Sequence, residues 1–305
     1  MATDHGRRLA DPNDSMSHRE ILVPGETCWT VAPCARATLL VDAEQYFAAL
    51  HDALCNAKHS ILILGWDIDS REPLIRDPSH EAVGRSLRRV LNQVVRRTKG
   101  LHAHVLIWDF AVIYAMEREW LPFYRLGWQK HPRLHFRTDG NHPVGASQHQ
   151  KVVVIDDSLA FVGGIDLSKW RWDTRAHSPT ERRRLDPDHK PYVPFHDVML
   201  MLDGEPARRL GDLARQRWRR ATGQTLKPPP GSDHDPWPKH IVPQFEDFDV
   251  GIARTYPDHH EQAAVREVER LYLASLAAAR RWVYVENQYL TSMRIAEAMS
   301  CLLYT

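Results

Sequence analysis

The chain has 305 residues, of which 43% are hydrophobic, 26% are charged and 15 are Gly, values that exclude a disordered or collagen-like protein. Its 40 Lys and Arg balance 39 Asp and Glu, so the net charge of +1 gives no global attraction to nucleic acid or to an anionic membrane. No apolar run approaches the ~18 residues that cross a bilayer, and residues 1–20 lack the apolar core of a signal peptide. We therefore expect a cytoplasmic protein with free thiols at its 4 cysteines.

The first elements of the chain alternate between helix and strand. Residues 1–20 are polar and aperiodic, which predicts a disordered tail. Apolar residues at helical spacing predict a helix over Asp42–Lys58, with Asp42 as N-cap and Gln45 at N3. The short apolar run Ser60–Trp66 is typical of a strand covered on both faces. A helix and a second buried strand follow, over Ala82–Arg97 and His102–Trp108. This alternation predicts an α/β fold, a layered mixed sheet flanked by helices.

The remaining predicted elements lie on either side of a proline-rich segment. The sequence Lys227-Pro-Pro-Pro-Gly231 cannot continue a helix because Pro lacks the amide hydrogen, so we place a linker over residues 227–240. Before it we expect strands at Leu134–Arg137, Lys151–Ile155, Leu159–Val162 and Val198–Leu202, and a helix from Glu205 to about Arg220. After it we expect helices at Glu261–Arg280 and Met293–Leu303, with a strand at Val283–Val285 between them.

The segment after the linker resembles an earlier one. An offset of 222 residues pairs Ala57 with Ala279, and Leu54 with Leu276, at the junction between a helix and an apolar run. This weak likeness predicts a duplicated α/β unit, although any two helix-to-strand junctions share such features. The predicted domains are residues 21–226 and the incomplete start of a second unit over residues 241–305.

One run carries the chemistry of a candidate active site: Gln148-His-Gln-Lys-Val-Val-Val-Ile-Asp156. On a strand, His149 and Lys151 point to the same face because side chains alternate with period two. A neutral imidazole can attack phosphorus, and a neighbouring ammonium can stabilise the charge on the non-bridging oxygens. Downstream, Gly163 and Gly164 have no Cβ and permit close approach of the backbone to a phosphate. The run therefore predicts phosphoryl transfer.

The run HQKVVVID, followed by GGIDL, resembles the HxKxxxxD and GG/GS signature of the phospholipase D superfamily. The resemblance extends to ILILGWDID, VLIWDF, PFHDVMLML and VYVENQYL, so it covers most of the chain from about residue 35 onward. Within the family, the sequence is most similar to the bacterial phosphatidyl-transferring and phospholipid-hydrolysing members, of the cardiolipin synthase type. These members carry two such motifs on one chain.

The resemblance implies a two-step, metal-independent reaction through a phosphohistidine. By motif position, His149 is the nucleophile, Lys151 binds phosphate and Asp156 supports the site. The positions that follow, expected to line the substrate site, are Gly163, Gly164 and Asp166. In the family a second histidine, from the second motif, protonates the leaving alcohol.

The sequence departs from the family at that second motif. The 222-residue offset would place a second nucleophile beyond Thr305, and this sequence holds one HxKxxxxD. We therefore expect the chain to be the amino-terminal part of a longer enzyme. Loss of general-acid help typically costs about 10²- to 10⁴-fold in rate. The isolated chain is accordingly expected to be nearly inactive and poorly soluble.

Further polar residues are candidates for the substrate site. His196, in PFHD, lies where the resemblance places the cleft, although a structural role for His196 and its neighbour Asp197 is equally expected. Three more candidates stand at the end of the last predicted strand, where α/β folds commonly place ligand groups: Glu286, Asn287 and Gln288. His102 and His104 share a strand face without a nearby set of further ligands, so we predict no metal site and no cofactor.

These features together predict an enzyme that hydrolyses or transfers the phosphodiester of a phospholipid. Two alternatives remain open: a nucleic-acid phosphodiesterase of the same superfamily, and a non-catalytic half-site binding protein. Five aromatic residues form either a rim that contacts a membrane peripherally, at its inner face, or part of the core: Trp120, Phe123, Trp128, Trp170 and Trp172. The sequence leaves the headgroup, the acceptor and the oligomeric state open.

Overall fold

The computed structural model describes residues 21–76, 86–109, 131–231 and 234–304. The predicted tail, residues 1–20, lies outside the described residues. Pro33–Phe248 form one compact unit, the large unit. The described residues before Pro33 and after Phe248 form the other, the small unit.

The described part of the large unit is built from helices and strands. The helices are α1 (Asp42–Asn56), α2 (Leu87–Arg97) and α3 (Glu205–Thr222). The strands are β1 (Thr30–Val41), β2 (Ser60–Gly65), β3 (His102–Trp108), β4 (Leu134–Asp139), β5 (Lys151–Ile155), β6 (Leu159–Gly163), β7 (Val198–Asp203) and β8 (Phe245–Ile252). Strands β1 and β8 each cross the boundary between the units. The predicted α/β fold class is confirmed.

The strands of the large unit form one mixed sheet in the order β4-β3-β2-β5-β6-β7-β1, with β8 next to β1. Strands β2, β3 and β4 run parallel, whereas β5, β6, β7 and β1 each run antiparallel to the strand before them in this order. The two continuous apolar runs, β2 and β5, lie at the centre of the sheet and are buried. This is the position that such runs predict, because both of their faces are covered.

Helices cover both faces of the sheet. Side chains alternate along each strand, and Ile61 and Ile63 of β2 belong to one apolar core together with Leu50 of α1 and Leu91 of α2. Helix α3 packs on β2 and on β4 to β7. The sheet therefore has one face toward α1 and α2 and the other toward α3, and this division decides which neighbours each residue of β5 can contact.

The amino terminus of α1 differs from the prediction. Asp42 does not cap the helix: it is the first helical residue, with a φ of 66°, and Val41 is the N-cap. Gln45 Oε1 accepts a hydrogen bond from the amide of Val41, at 3.1 Å. The carboxylate of Asp42 is instead engaged by the ring of His196, as described below. The predicted start of α2 at Ala82 lies outside the described residues, which resume at residue 86.

The small unit contains a two-stranded ribbon and two helices within its described part. These elements are β9 (Thr255–Tyr256), β10 (Val265–Arg266), α4 (Glu267–Ala278) and α5 (Met293–Tyr304). The start of α4 is fixed by an ion pair in which Arg254 Nη2 lies 2.7 Å from Glu267 Oε1. The predicted strand Val283–Val285 is wrong, because these residues adopt neither strand nor helix and Tyr284 is 74% exposed. An apolar run becomes a buried strand only where neighbouring strands cover it.

The ends of α1 and α4 share one geometry at the predicted offset. Ala57 and Ala279 are the C-caps, both in an extended conformation. Their amides donate to the carbonyls of Leu54 and Leu276, at 3.3 and 3.1 Å. The local likeness is thus present in the structure, whereas the domain boundaries stay a prediction.

The described part of the chain contains no helix long and apolar enough to cross a bilayer. Of the aromatic residues considered for a membrane rim, Trp172 is 2% exposed and belongs to the core. Trp170 is partly buried and its Nε1 donates to Asp186 at 3.2 Å. The other members of that set, Trp120, Phe123 and Trp128, lie outside the described residues. Peripheral membrane contact stays a prediction.

Candidate active site

Polar residues that are distant in sequence meet at one edge of the sheet, here the edge formed by the ends of its inner strands. Strands β2 and β6 end at this edge and β5 and β7 begin there, because Leu64 pairs with Val152 and Gly163 pairs with both Lys151 and Met199. The side chains brought to this edge are those of Trp66, His149, Lys151, Asp166 and Asp197. The topology of the sheet brings His149 and Lys151, which share one motif, together with residues from other strands and loops.

Lys151 is buried at the edge and is held by two oxygens. Its Nζ lies 3.1 Å from Asp166 Oδ2 and donates to the carbonyl of His149 at 3.1 Å. The other carboxylate oxygen of Asp166 accepts from the amides of Trp66 and Asp67, at 2.9 and 3.2 Å. Burial lowers the pKa of Lys151, and the neighbouring Asp166 carboxylate opposes that shift by favouring the charged form. The result is a cation fixed in place at the end of β2.

His149 stands just before β5 with its ring against Trp66, the two ring centroids being 5.7 Å apart. The residue still reaches solvent. Partial burial of the ring and the positive charges of Lys151 and Arg171 lower the pKa of His149 to about 4, while Asp197 acts in the opposite sense. At neutral pH the imidazole is therefore neutral, which is the form that can attack phosphorus.

Asp156, the last residue of the motif, lies at the opposite end of β5 from His149 and Lys151. Its carboxylate accepts hydrogen bonds from the amides of Lys58, His59 and Ser60, each at 2.7 Å. It therefore ties the start of β2 to the end of β5 and does not join the other two motif residues at the edge. Its support of the site is structural.

Gly163 and Gly164 are closely approached by neighbouring atoms of the same chain. A Cβ on Gly163 would lie 2.3 Å from the carbonyl of Val198, and a Cβ on Gly164 would lie 2.2 Å from the carboxylate of Asp197. Only glycine allows this approach. The pair thus admits Asp197 to the edge where His149 stands, and the predicted contact of these glycines with phosphate stays a prediction.

Arg171 is a further cation at the site and is not among the residues predicted from the sequence. Its guanidinium lies 5.1 Å from the ring centroid of Phe195, and its charge lowers the pKa of both His149 and Lys151. The preceding residue, Trp170, has a φ of 66°, a left-handed conformation that non-glycine residues rarely adopt. An arginine shortly after GGIDL is the signal that would have indicated it.

Asp42, His177 and His196 form a second group at the same edge. His196 Nδ1 lies 2.7 Å from Asp42 Oδ1, and His177 Nε2 lies 3.4 Å from Asp42 Oδ2. One possible ligand atom from each residue lies within 4.8 Å of the others. Asp42 is 1% exposed and its Oδ2 accepts no hydrogen bond, so that oxygen is suited to a cation.

A carboxylate and two imidazoles are ligands that zinc and neighbouring transition metals prefer, so this group could hold one divalent ion. No metal site is predicted from the sequence, because Asp42 has the position of a helix cap and lies far from His177 and His196 along the chain. His196, predicted to bind substrate, lies in this group.

The remaining predicted residues belong to the small unit and are exposed: Glu286, Asn287 and Gln288. The hydroxyl of Tyr284 donates to Glu286 Oε2 at 2.9 Å, and Asn287 Oδ1 accepts from the amide of Tyr289 at 2.9 Å. These contacts are local to the segment after α4, and a role in substrate binding stays a prediction.

Comparison with known proteins gives sequence relatives and solved structures. No family model matches the chain. It is 27% identical over 325 residues to phospholipase D alpha 1 of Vigna unguiculata, a match that covers 81% of this chain and 39% of that protein. It is 28% identical over 326 residues to phospholipase D alpha 2 of Brassica oleracea var. capitata, covering 82% of this chain and 39% of that protein. The chain thus spans about two fifths of the length of the curated relatives it matches.

Among solved structures, NucT from Helicobacter pylori aligns with a TM-score of 0.39 and 14% identity, over 63% of this chain and 98% of NucT. Phosphatidylserine synthase from Haemophilus influenzae Rd KW20 aligns with a TM-score of 0.40 and 14% identity, over 65% of this chain and 39% of the synthase. The likeness to bacterial enzymes of the cardiolipin synthase type stays a prediction. The sequence similarity to plant phospholipases D, at 27 to 28% identity, extends over 81 to 82% of the length of this chain.

Proposed function

We propose that this chain supplies a phosphodiester-cleaving site that acts on phospholipids through a phosphohistidine on His149. One observation carries the proposal. An imidazole whose pKa is lowered to about 4, and which still reaches solvent, stands beside the buried ion pair of Lys151 and Asp166. A neutral nucleophile beside a fixed cation is what attack on a phosphodiester needs.

The reaction has two displacements at phosphorus. In the first, a ring nitrogen of His149 donates its electron pair to phosphorus, and the bond from phosphorus to the headgroup oxygen breaks. The headgroup oxygen leaves with that electron pair and takes a proton from solvent. In the second, water or an acceptor alcohol gives up a proton to solvent and attacks phosphorus, and the phosphorus–nitrogen bond breaks. The products are phosphatidate or a new phosphatidyl ester, and His149 returns to its neutral form.

Charges around His149 fit both displacements. Lys151 and Arg171 supply positive charge where the non-bridging oxygens become more negative in the transition state. The Asp197 carboxylate favours the positive form of the His149 ring, which develops as the ring bonds to phosphorus. The opposed effects leave the ring neutral before attack and stabilised after it.

A phospholipid substrate is supported by the relatives, which are named phospholipases D. The test compares phosphatidylcholine, phosphatidylglycerol and single-stranded DNA as phosphodiesters with the same preparation of the chain. We expect the lipids to transfer their phosphatidyl group to His149, whereas DNA gives no covalent product. Labelling by DNA alone would favour the nucleic-acid enzyme, and labelling by none would favour a binding protein.

An activated diester makes the first displacement independent of general-acid catalysis. In bis(p-nitrophenyl) phosphate the leaving phenolate departs without a proton, so the rate of the first step does not depend on a general acid. We expect a burst of p-nitrophenol close to one equivalent per chain, abolished in His149→Gln. A steady release without a burst, unchanged in that variant, would contradict the proposal.

A further inference from the structure

The side chain of Gln150, directly after His149, is held by a buried ion pair. Its Oε1 accepts a hydrogen bond from Arg217 Nη1 at 3.0 Å. Arg217 in turn donates from Nε and Nη2 to Asp139 Oδ2, at 3.2 and 2.6 Å. Arg217 and Asp139 are each 2% exposed, so neither can turn toward water. The guanidinium is thus fixed, and its remaining N–H group is directed at Gln150.

The residue before His149 is tied to the same carboxylate by a second route. Gln148 Nε2 donates to the carbonyl of Asn141 at 3.1 Å. The amide of Asn141 donates to Asp139 Oδ1, also at 3.1 Å. Both neighbours of His149 are therefore connected to Asp139, one through each of its carboxylate oxygens.

These connections act where the sheet no longer fixes the backbone. The paired part of β5 begins at Lys151, which pairs with Gly163, so His149 lies outside it. Alternation places Gln150 on the face of the sheet that carries α3, and Lys151 on the face toward α1. The hydrogen bonds of Gln150 thus hold the segment from the side opposite to the reacting groups.

We propose that Asp139, Arg217 and Gln150 form a positioning clamp that sets the place of the His149 ring for attack on phosphorus. This inference rests on the proposed function of His149. A nucleophile must lie about 3 to 3.5 Å from its target atom before attack. A misplacement of about 1 Å costs on the order of 10²-fold in rate. The three residues face away from Lys151, so they act on His149 through its backbone.

The test uses substitutions at Gln150, which is only partly buried, so that the fold is retained. Gln150→Met keeps the length of the side chain and removes the acceptor, whereas Gln150→Glu keeps an acceptor for Arg217. The matched control is Gln216→Met, the same change at the exposed residue next to Arg217. Thermal unfolding of each variant reports whether the fold is intact.

The first readout is the burst with bis(p-nitrophenyl) phosphate, followed over substrate concentration. We expect Gln150→Met to lower the rate constant at saturation by at least 10-fold with an unchanged half-saturating concentration, and Gln150→Glu and Gln216→Met to stay within threefold of wild type. A decrease smaller than 10-fold in Gln150→Met, or an equal loss in Gln150→Glu, would overturn the clamp while leaving the proposed function standing.

The second readout needs no turnover and so remains valid if the proposed function fails. Nuclear Overhauser contacts between the rings of His149 and Trp66 report the position of the imidazole, since the two rings are 5.7 Å apart. We expect these contacts to be lost in Gln150→Met and kept in Gln150→Glu and Gln216→Met. Their persistence in Gln150→Met would show that Arg217 and Gln150 do not position the ring.

Discussion

The ammonium of Lys151 donates a hydrogen bond to the backbone carbonyl of His149 over 3.1 Å. The cation expected to bind phosphate therefore also holds the backbone of the nucleophile. A substitution of Lys151 thus changes both the charge at the site and the support of His149. The same ammonium is paired with Asp166, which accepts backbone amides at the end of β2. The edge of the sheet is thus one connected polar group.

His149 should remain neutral well below the ordinary titration range of histidine. Its pKa is lowered to about 4 by partial burial first and by Lys151 and Arg171 second. We expect the burst rate to stay constant as the pH falls from 8 through 6 and to decline only near 4. Lys151→Met should raise the pKa of His149 but leave it below about 6.5, because burial is the larger cause. An NMR titration of the His149 ring measures its pKa in the wild type and in Lys151→Met. A wild-type midpoint near 6.5 would contradict the effect assigned to burial, Lys151 and Arg171.

Removal of Lys151 should cost stability as well as chemistry. Lys151 and Asp166 have side chains 5% and 2% exposed, so Lys151→Met leaves a buried carboxylate without its partner. Breaking a buried pair in this way typically costs about 3 to 5 kcal/mol in the free energy of unfolding. Asp166→Asn in the same chain should restore most of that loss, since the remaining amide needs no counter-charge. Urea unfolding checks this, and additive losses in the double variant would count against the pair.

Asp156 should matter for folding and little for attack on phosphorus. Its carboxylate accepts three backbone amides at the start of β2, far along β5 from His149. Asp156→Ala leaves those amides without an acceptor, which should lower the free energy of unfolding by roughly 3 kcal/mol. At a temperature where this variant is folded, we expect its burst rate to stay within threefold of wild type. A loss of the burst in the folded variant would show that Asp156 belongs to the chemical site.

The group of Asp42, His177 and His196 should bind a divalent transition metal. Its donor set predicts tighter binding of zinc than of magnesium. We expect isothermal titration with Zn²⁺ to give one equivalent and to raise the thermal midpoint, and His177→Ala to abolish both effects. Binding that persists in His177→Ala, or no binding in the wild type, would rule out this assignment.

The part of the fold that the sequence predicts well is the part specified by local pattern. Continuous apolar runs locate β2, β3 and β5 within one residue, and helical spacing locates α1 and α3 within two. The strand β1 escaped prediction because its sequence carries Pro33 and polar residues among apolar ones. Val283–Val285 show the reverse error, since their pattern is that of a buried strand while their side chains are exposed.

The candidate site likewise contains residues that a local pattern indicates and residues that no local pattern indicates. His149 and Lys151 follow from a motif, because their chemistry depends on spacing along one strand. Arg217 reaches the site from a distant element, so no local spacing indicates it, whereas Arg171 and Asp197 lie close to or within the GGIDL and PFHD segments. Asp42 has a position before a helical run that indicates a cap, whereas in the structure its buried carboxylate lies 2.7 Å from Nδ1 of the exposed His196 ring.

The most direct test of the central claim is mass spectrometry of the peptide that contains His149, after reaction with bis(p-nitrophenyl) phosphate and a basic quench that preserves phosphohistidine. The account predicts a p-nitrophenyl phosphoryl group on His149, lost on brief acid treatment and absent from His149→Gln. A covalent phosphoryl group on another residue, or a burst of phenol with His149 unmodified, would contradict it.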